Sequence, residues 1–406
     1  MATLFLVLIY ASFISLGLPD SLLGVVWPVM QPEFGVPYGY AGILSVIVSG
    51  GTIVSSLFSG KVLKRFGTGR VTFVSVLMTA LSLLGFYFVP SFLWAILLGI
   101  PLGLGAGAVD SGLNSYVAAH YQSRHMSWLH CFWGVGAMIG PNIMSGYIRQ
   151  GEWHSGFLTI SIVQFALVVV LLFAIPLWDK VAAKTASQEP QVEMVPEAAQ
   201  GGFWQPLRLK GVKPVLLTFL LYCALESTMG LWGSSFLINA KGFDAATAAR
   251  WVSLFYAGIT AGRFASGFIT MKMSNKTLIR VGELTILVGT VLLLLPLPTV
   301  CALIGFVLVG LGCAPIYPCM IHETPARFGQ ENAQAIIGFQ MAVAYTGSTF
   351  LPPVFGFIAS ATTISLFPFF IATYILVMLV SSEKVNLFMK EKLRKLHQAA
   401  ADSTEG

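Results

Sequence analysis

Charge is what this sequence has least of. Only 10 % of its 406 residues are Asp, Glu, Lys or Arg, against about 25 % in ordinary soluble domains. With 56 % hydrophobic residues and a mean hydropathy of +0.80, a soluble globular domain is excluded, because a single core cannot absorb that much apolar surface. Cysteine is scarce and odd in number, five residues, all inside apolar stretches. Cys313 and Cys319 stand six residues apart with no histidine between them, so neither a disulfide framework nor a metal site is indicated and the five read as small apolar residues. No Walker A sequence is present, which removes support for ATP-driven work. Gly103-x-Gly105-x-x-Ala108 has the outline of a dinucleotide fingerprint but lacks the strand that must precede it. No Ser–His–Asp set is visible, so catalysis and cofactors are not expected.

What is present is a series of apolar runs, and a membrane-spanning helix needs about 20 such residues. Twelve are expected, near 4–30, 38–60, 71–89, 92–118, 126–148, 155–177, 214–238, 246–271, 277–297, 299–321, 332–359 and 363–382. The first is too long for a secretory signal and has no basic leader, so it reads as the first span. Polar residues gather in one long stretch from about 178, which divides the chain into a six-helix bundle at 1–177, a linker at 178–212, a second bundle at 213–382 and a basic tail at 383–406. The expected fold is therefore an all-α membrane protein of twelve transmembrane helices in two halves.

The net charge of +6 could point to nucleic acid, but its distribution points to topology. With the N-terminus in the cytoplasm, all 23 basic residues except Arg149, Lys241, Arg250 and Arg263 fall on the cytoplasmic side, as the positive-inside rule requires. That places both termini inside a cell inner membrane and leaves a lipid bilayer and a small molecule as the partners, with no nucleic acid and a monomer as the working unit.

The two bundles repeat each other. Asp20-Ser21-Leu22-Leu23-Gly24 aligns with Glu226-Ser227-Thr228-Met229-Gly230. At an offset near 207, Gly60 aligns with Gly267 and Gly103-Leu104-Gly105 with Gly310-Leu311-Gly312; Gly136 and Pro141 align with Gly347 and Pro352 at 211. Matches in order at nearly constant spacing indicate duplication, the plan of transporters whose site lies between two halves near the midplane.

The acids mark that site. Asp20, Asp110 and Glu226 interrupt apolar runs, where an ionisable group costs about 2.5–3.5 kcal/mol even on insertion scales. Gly103, Gly107, Asp110 and Asn114 recur at helical spacing on one face, as do Phe13, Gly17, Asp20 and Gly24, and Cys223, Glu226, Gly230 and Gly233. Each acid is either a solute or proton site or one member of an interhelical hydrogen bond. His130 shares a face with Gly134, Ala137 and Pro141; it can hydrogen-bond a substrate, relay a proton or simply bond within the core. Trp27, Trp133, Tyr116, Trp232, Tyr317 and Tyr345 are candidates for stacking on a solute ring. Arg263 and Glu283 lie at similar depth and are expected to pair as a latch of the cytoplasmic gate.

Several motifs resemble the major facilitator superfamily. Gly60-x-x-x-x-Arg65-Phe66-Gly67-x-x-Arg70 is similar to its signature between helices 2 and 3, with Lys64 where an acid is usual; the resemblance gives Arg65 and Arg70 a gating role. Gly262-Arg263-x-x-x-Gly267 is the second-half echo. Gly136-x-x-x-Gly140-Pro141 with Gly146 resembles a helix 5 signature of drug antiporters. Within the superfamily, Gly105-x-Gly107-x-x-Asp110-x-x-x-Asn114-x-Tyr116-Val117 and Leu18-x-Asp20-x-Leu22-Leu23 resemble motifs of the fucose–proton symporters, with Asp110 in place of Glu and Ser115 in place of Pro. His130 falls where that group has Gln. The resemblance implies that Asp20 and Asp110 serve sugar binding and proton coupling. Glu226 is a further proton-coupling candidate, and Asn114 is expected to join Asp20 in holding solute hydroxyls. The expected function is proton-coupled import of a small neutral polyhydroxylated solute, a monosaccharide, by alternating access. A proton-coupled drug or metabolite exporter and a sodium-coupled sugar importer are the alternatives.

Overall fold

The computed structural model describes residues 2–121, 123–186, 205–270 and 272–405. Among them it is helical throughout: α1 (Ala2–Asp20), α2 (Leu22–Phe34), α3 (Tyr40–Phe66), α4 (Thr68–Tyr87), α5 (Phe92–His120), α6 (Ser123–Arg149), α7 (Trp153–Ala186), α8 (Val212–Lys241), α9 (Ala245–Ile269), α10 (Asn275–Leu294), α11 (Thr299–Cys313), α12 (Ile316–Phe328), α13 (Gln330–Ala361) and α14 (Phe367–Glu405). Two crossings are broken, so α1 with α2 and α11 with α12 make one span each, and fourteen helices give the twelve crossings of the predicted fold. Ten spans are apolar and long enough to cross on their own; α6 and α9 are not among them. Those two pack against each other where the halves meet, and a helix shielded by protein needs less apolar surface than one facing lipid. Helix α7 continues past the expected boundary at 177, 187–204 of the expected linker lies outside the described residues, and the tail prolongs α14 without a break.

The duplication seen in the sequence is carried into the packing. In the first half α1 packs on α6, α3 on α5, α4 on α5 and α4 on α7; in the second, α8 packs on α13, α9 on α11, α10 on α11 and α10 on α14. Close approaches repeat with the same offset. A methyl group on Gly103 would sit 2.0 Å from the carbonyl oxygen of Val48, and one on Gly310 would sit 2.1 Å from that of Phe255. Moving both members of the first pair by 207 gives the second. Gly105 against Ser75 O (2.6 Å) and Gly312 against Gly282 O (2.5 Å) obey the same shift. These glycines let helices touch backbone to backbone, the packing that stands in for the hydrophobic effect inside a bilayer. Gly60 and Gly267, by contrast, meet nothing within 4 Å, so that match reflects no shared close contact.

The break between α1 and α2 has a cause in the sequence. Pro19 lies within α1 and has no N–H to give to the carbonyl four residues back, that of Ser15. Gln164 of α7, fully buried, donates its Nε2 to that Ser15 oxygen at 2.8 Å, while its Oε1 accepts from Thr79 Oγ1 at 2.7 Å. A helix break inside a membrane persists only where neighbours satisfy the freed group in this way. The carboxylate of Asp20 is thereby placed at the end of a helix. Pro315, just before α12, marks the break in the second half, which falls in the span equivalent to α5 and not in the equivalent of α1 and α2.

The two halves meet on the face away from the chain termini. Gly24 of α2 approaches Gly230 O of α8, where an added methyl would sit 2.1 Å away, and Gly42 of α3 meets Pro353 of α13. Tyr38 packs on Trp232 with ring centroids 5.2 Å apart. Ser145 donates to Ala246 O at 2.7 Å, and Asn142 donates to Ser253 Oγ. That face is sealed.

Candidate functional site

Asp20 is exposed although every residue from Ser15 to Pro19 and both Ser21 and Leu22 are buried. A carboxylate in the middle of a bundle is exposed only by facing an opening between helices. Because the far face is sealed above it, access runs toward the end that carries the termini. Its Oδ2 accepts from Trp133 Nε1 of α6 at 2.8 Å. Asp110 of α5 is half-buried, accepts from Asn114 Nδ2 one turn later at 2.9 Å, and lies near enough to Asp20 for the two charges to interact. Helical spacing had already set Asp110 and Asn114 on one face, and the structure joins them. Neither aspartate has a cationic partner among the described residues.

The second half contributes a different chemistry. Glu226 of α8 accepts from the Tyr222 hydroxyl one turn earlier. Its other oxygen lies 3.6 Å from Arg263 Nη2 of α9. The Arg263 guanidinium lies over the Trp133 ring, 5.4 Å from its centroid, so a continuous polar chain crosses from one half to the other: Asp20, Trp133, Arg263, Glu226, Tyr222. Tyr256 of α9 stands edge-on to Trp133 at 6.3 Å and close to both Glu226 and Asp20. His130, one turn from Trp133, is edge-on to Phe13 at 5.8 Å and faces Arg263. Tyr317 of α12 lies 5.0 Å from Phe219 and hydrogen-bonds Met341 Sδ at 3.3 Å; Tyr345 of α13 lies beside Ser56 of α3 and near Asp110.

Four expected placements are corrected. Trp27 is fully buried, donates to Tyr38 O at 2.9 Å and packs 6.1 Å from Phe92 on the sealed side. Trp232, also fully buried, donates to Pro352 O at 2.8 Å, away from the acids. Tyr116 belongs to an aromatic cluster at the terminal end of the first half, 5.7 Å from Phe5 and 4.9 Å from Trp178. All three rings are packing elements because helical neighbours cover them on every side. Arg263 does not pair with Glu283. It points into the seam between halves, whereas the fully buried Glu283 accepts from Ser382 Oγ of α14 at 2.5 Å within the second half. Equal depth placed the two together on paper; their helices face different neighbours. Arg65 lies over its neighbour Phe66 at 5.4 Å, and neither it nor Arg70 forms an ion pair among the described residues. Tyr222 and Tyr256 were missed; a tyrosine four residues before Glu226 was the available signal for the first.

The family model of the Major Facilitator Superfamily matches residues 9–352. The chain belongs to the Major Facilitator Superfamily. The relatives are distant. Bypass of stop codon protein 6 of Saccharomyces cerevisiae is 23 % identical over 397 residues, covering 88 % of this chain and 77 % of that protein. The glucose/mannose transporter GlcP of Bacillus subtilis is 22 % identical, covering 76 % and 77 %, and the cis,cis-muconate transport protein of Acinetobacter baylyi is 22 % identical, covering 89 % and 88 %. Among solved structures, a D-xylose-proton symporter superposes with a TM-score of 0.72 at 13 % identity over 95 % of this chain and 96 % of that one. A bacterial homologue of the human lysosomal transporter Spinster superposes with 0.70 at 13 % identity over 97 % and 98 %. This chain is thus a multi-pass transporter of the Major Facilitator Superfamily, and its polar chain lies in the seam between the superfamily's two halves.

Proposed function

We propose that this transporter imports a small neutral polyhydroxylated solute, a monosaccharide, together with a proton across the plasma membrane, by alternating access. The observation that carries the reading is the pair of aspartates, Asp20 and Asp110, facing the opening with no cationic partner among the described residues. Two carboxylates in a low-dielectric seam repel each other, and a proton on one relieves the repulsion. The same pair disfavours an anionic solute and suits one that donates hydroxyl hydrogens. Asp110 is the proton carrier in this reading. Asp20 and Asn114 hold solute hydroxyls, Trp133 offers a ring, and Tyr317, Tyr345 and His130 complete the lining. Glu226, already engaged by Arg263 and Tyr222, is the weaker proton candidate. The resemblance of the Asp20 and Asp110 motifs to fucose–proton symporters favours a sugar, as do the names of the glucose/mannose transporter and the xylose–proton symporter.

The distribution of Lys and Arg supports a cytoplasmic position for the end with the termini, and in this reading the sealed face is external and the opening faces inward. The test is transport by purified protein in liposomes holding a pH-sensitive dye, with D-glucose, D-mannose, D-xylose and L-fucose added outside one at a time. Acidification of the lumen by one of them with no ion gradient imposed is the expected result. Solute uptake that needs sodium and leaves lumen pH unchanged would replace the proton with sodium. Silence to every sugar would overturn the solute class.

A further inference from the structure

We propose that Arg263 is a specificity-determining residue of the solute site: its guanidinium alternates between Glu226 with the Trp133 ring, as seen here, and two neighbouring hydroxyl oxygens of the solute. This inference rests on the sugar reading and deepens it. In this structure Arg263 holds Glu226 by one N–O approach of 3.6 Å, longer than a charge-assisted hydrogen bond, which falls near 2.7–2.9 Å. Tyr222 also lies within hydrogen-bonding reach of Arg263; a guanidinium carries five donors in a rigid fork, so donors remain for another acceptor. Arg263 and Glu226 are only 14 % and 17 % exposed, so an incoming solute meets donors poorly supplied by water.

The ring face decides the mode. Arg263 covers the face of Trp133 at 5.4 Å, and that indole is fixed in orientation because its N–H is held by Asp20 at 2.8 Å. A sugar stacking on that face of Trp133 needs the same space. It must lift the guanidinium off the ring, and the nearest acceptors for the displaced donors are the sugar's own oxygens. Neighbouring hydroxyls present two oxygens to the two parallel N–H bonds of the fork, and each hydroxyl can in turn donate to Glu226. A solute bound this way touches Asp20 and Trp133 of the first half and Arg263 and Glu226 of the second, which links occupancy to the distance between halves.

The test measures affinity in wild type and in Arg263→Lys and Arg263→Gln, for whichever of D-glucose, D-mannose, D-xylose and L-fucose the wild type binds and for its monodeoxy analogues, with thermal unfolding in detergent as the folding control. In wild type, removing one of two neighbouring hydroxyls should weaken binding about ten- to hundredfold, the range of a hydrogen bond to a charged group. Arg263→Lys keeps the charge but loses the fork. It should bind the parent sugar about as weakly as the wild type binds that deoxy analogue, and should no longer distinguish the two. Arg263→Gln should also lose this discrimination. If the variants weaken parent and analogues by one common factor, Arg263 is only structural; if affinity and profile are unchanged, it does not touch the solute. Either result overturns the inference while the sugar reading stands. If folded wild type binds none of the sugars, both fall together.

Discussion

The two halves carry one motif and use it differently. Asp20-Ser21-Leu22-Leu23-Gly24 and Glu226-Ser227-Thr228-Met229-Gly230 align, and their glycines meet across the seam on the sealed face. Before the first acid stands Pro19, before the second Leu225. Helix α1 therefore ends at Asp20, while α8 runs unbroken through Glu226. Among the described residues, Asp20 and Asp110 of the first half have no cationic partner, whereas Glu226 of the second has Arg263. A duplicated scaffold has diverged into one half whose seam acids have no cationic partner among the described residues and one half that keeps its charge balanced. That division is the core of the proposed mechanism.

The comparison can be broken first at the shared scaffold. Bulky residues at the paired glycines, Gly103→Leu and Gly310→Leu, should each remove most folded protein, because a first side-chain carbon already meets a backbone oxygen at 2.0 or 2.1 Å. Size-exclusion profiles in detergent check it, and a tolerant half would deny the equivalence. The charge pair tests the divergence. Glu226→Ala strands Arg263 and should cost about 3–5 kcal/mol, read as a drop in melting temperature. The double variant Glu226→Gln with Arg263→Gln should recover much of that loss. An equal loss in Asp20→Ala would contradict the contrast, since no cation is stranded there.

Gln164→Leu should cost about 1–3 kcal/mol by leaving the Ser15 carbonyl unmet. The smallest effect lies outside the bilayer. Asp244 caps α9 by accepting from Thr247 N at 2.9 Å, and hydrogen bonds from Thr247 hold its carboxyl below the usual value. Its cap is worth about 1 kcal/mol. Because the folded value is the lower one, this contribution is present above the unfolded value of about 3.9 and fades as pH falls below it. The melting-temperature gap between wild type and Asp244→Ala should therefore shrink from pH 7 toward pH 3.

The legible parts of the sequence were those set by one dimension. Span length, the central polar stretch, the glycine repeat and the Asp110–Asn114 face all follow from spacing along a helix. What was not legible needs two helices at once. Arg263 and Glu283 matched in depth, but depth says nothing about which neighbour a side chain faces, so Arg263 was assigned to a gate instead of to Glu226 and Trp133. Trp27, Trp232 and Tyr116 had the right chemistry for a sugar, and only the packing around them shows that their rings are covered. The break at Ser21 was announced by Pro19, yet its stability depends on Gln164, 149 residues away from the Ser15 carbonyl it serves.

The most direct test of the account compares two movements in one preparation of Asp110→Asn: proton entry driven by the transported sugar, and exchange of labelled for unlabelled sugar at equal concentrations. Exchange needs binding and alternating access but no net proton. The account predicts that exchange persists at a substantial fraction of wild type while sugar-driven acidification disappears. Acidification at the wild-type ratio to exchange would show that the proton travels on another group and would contradict the division of labour between the halves.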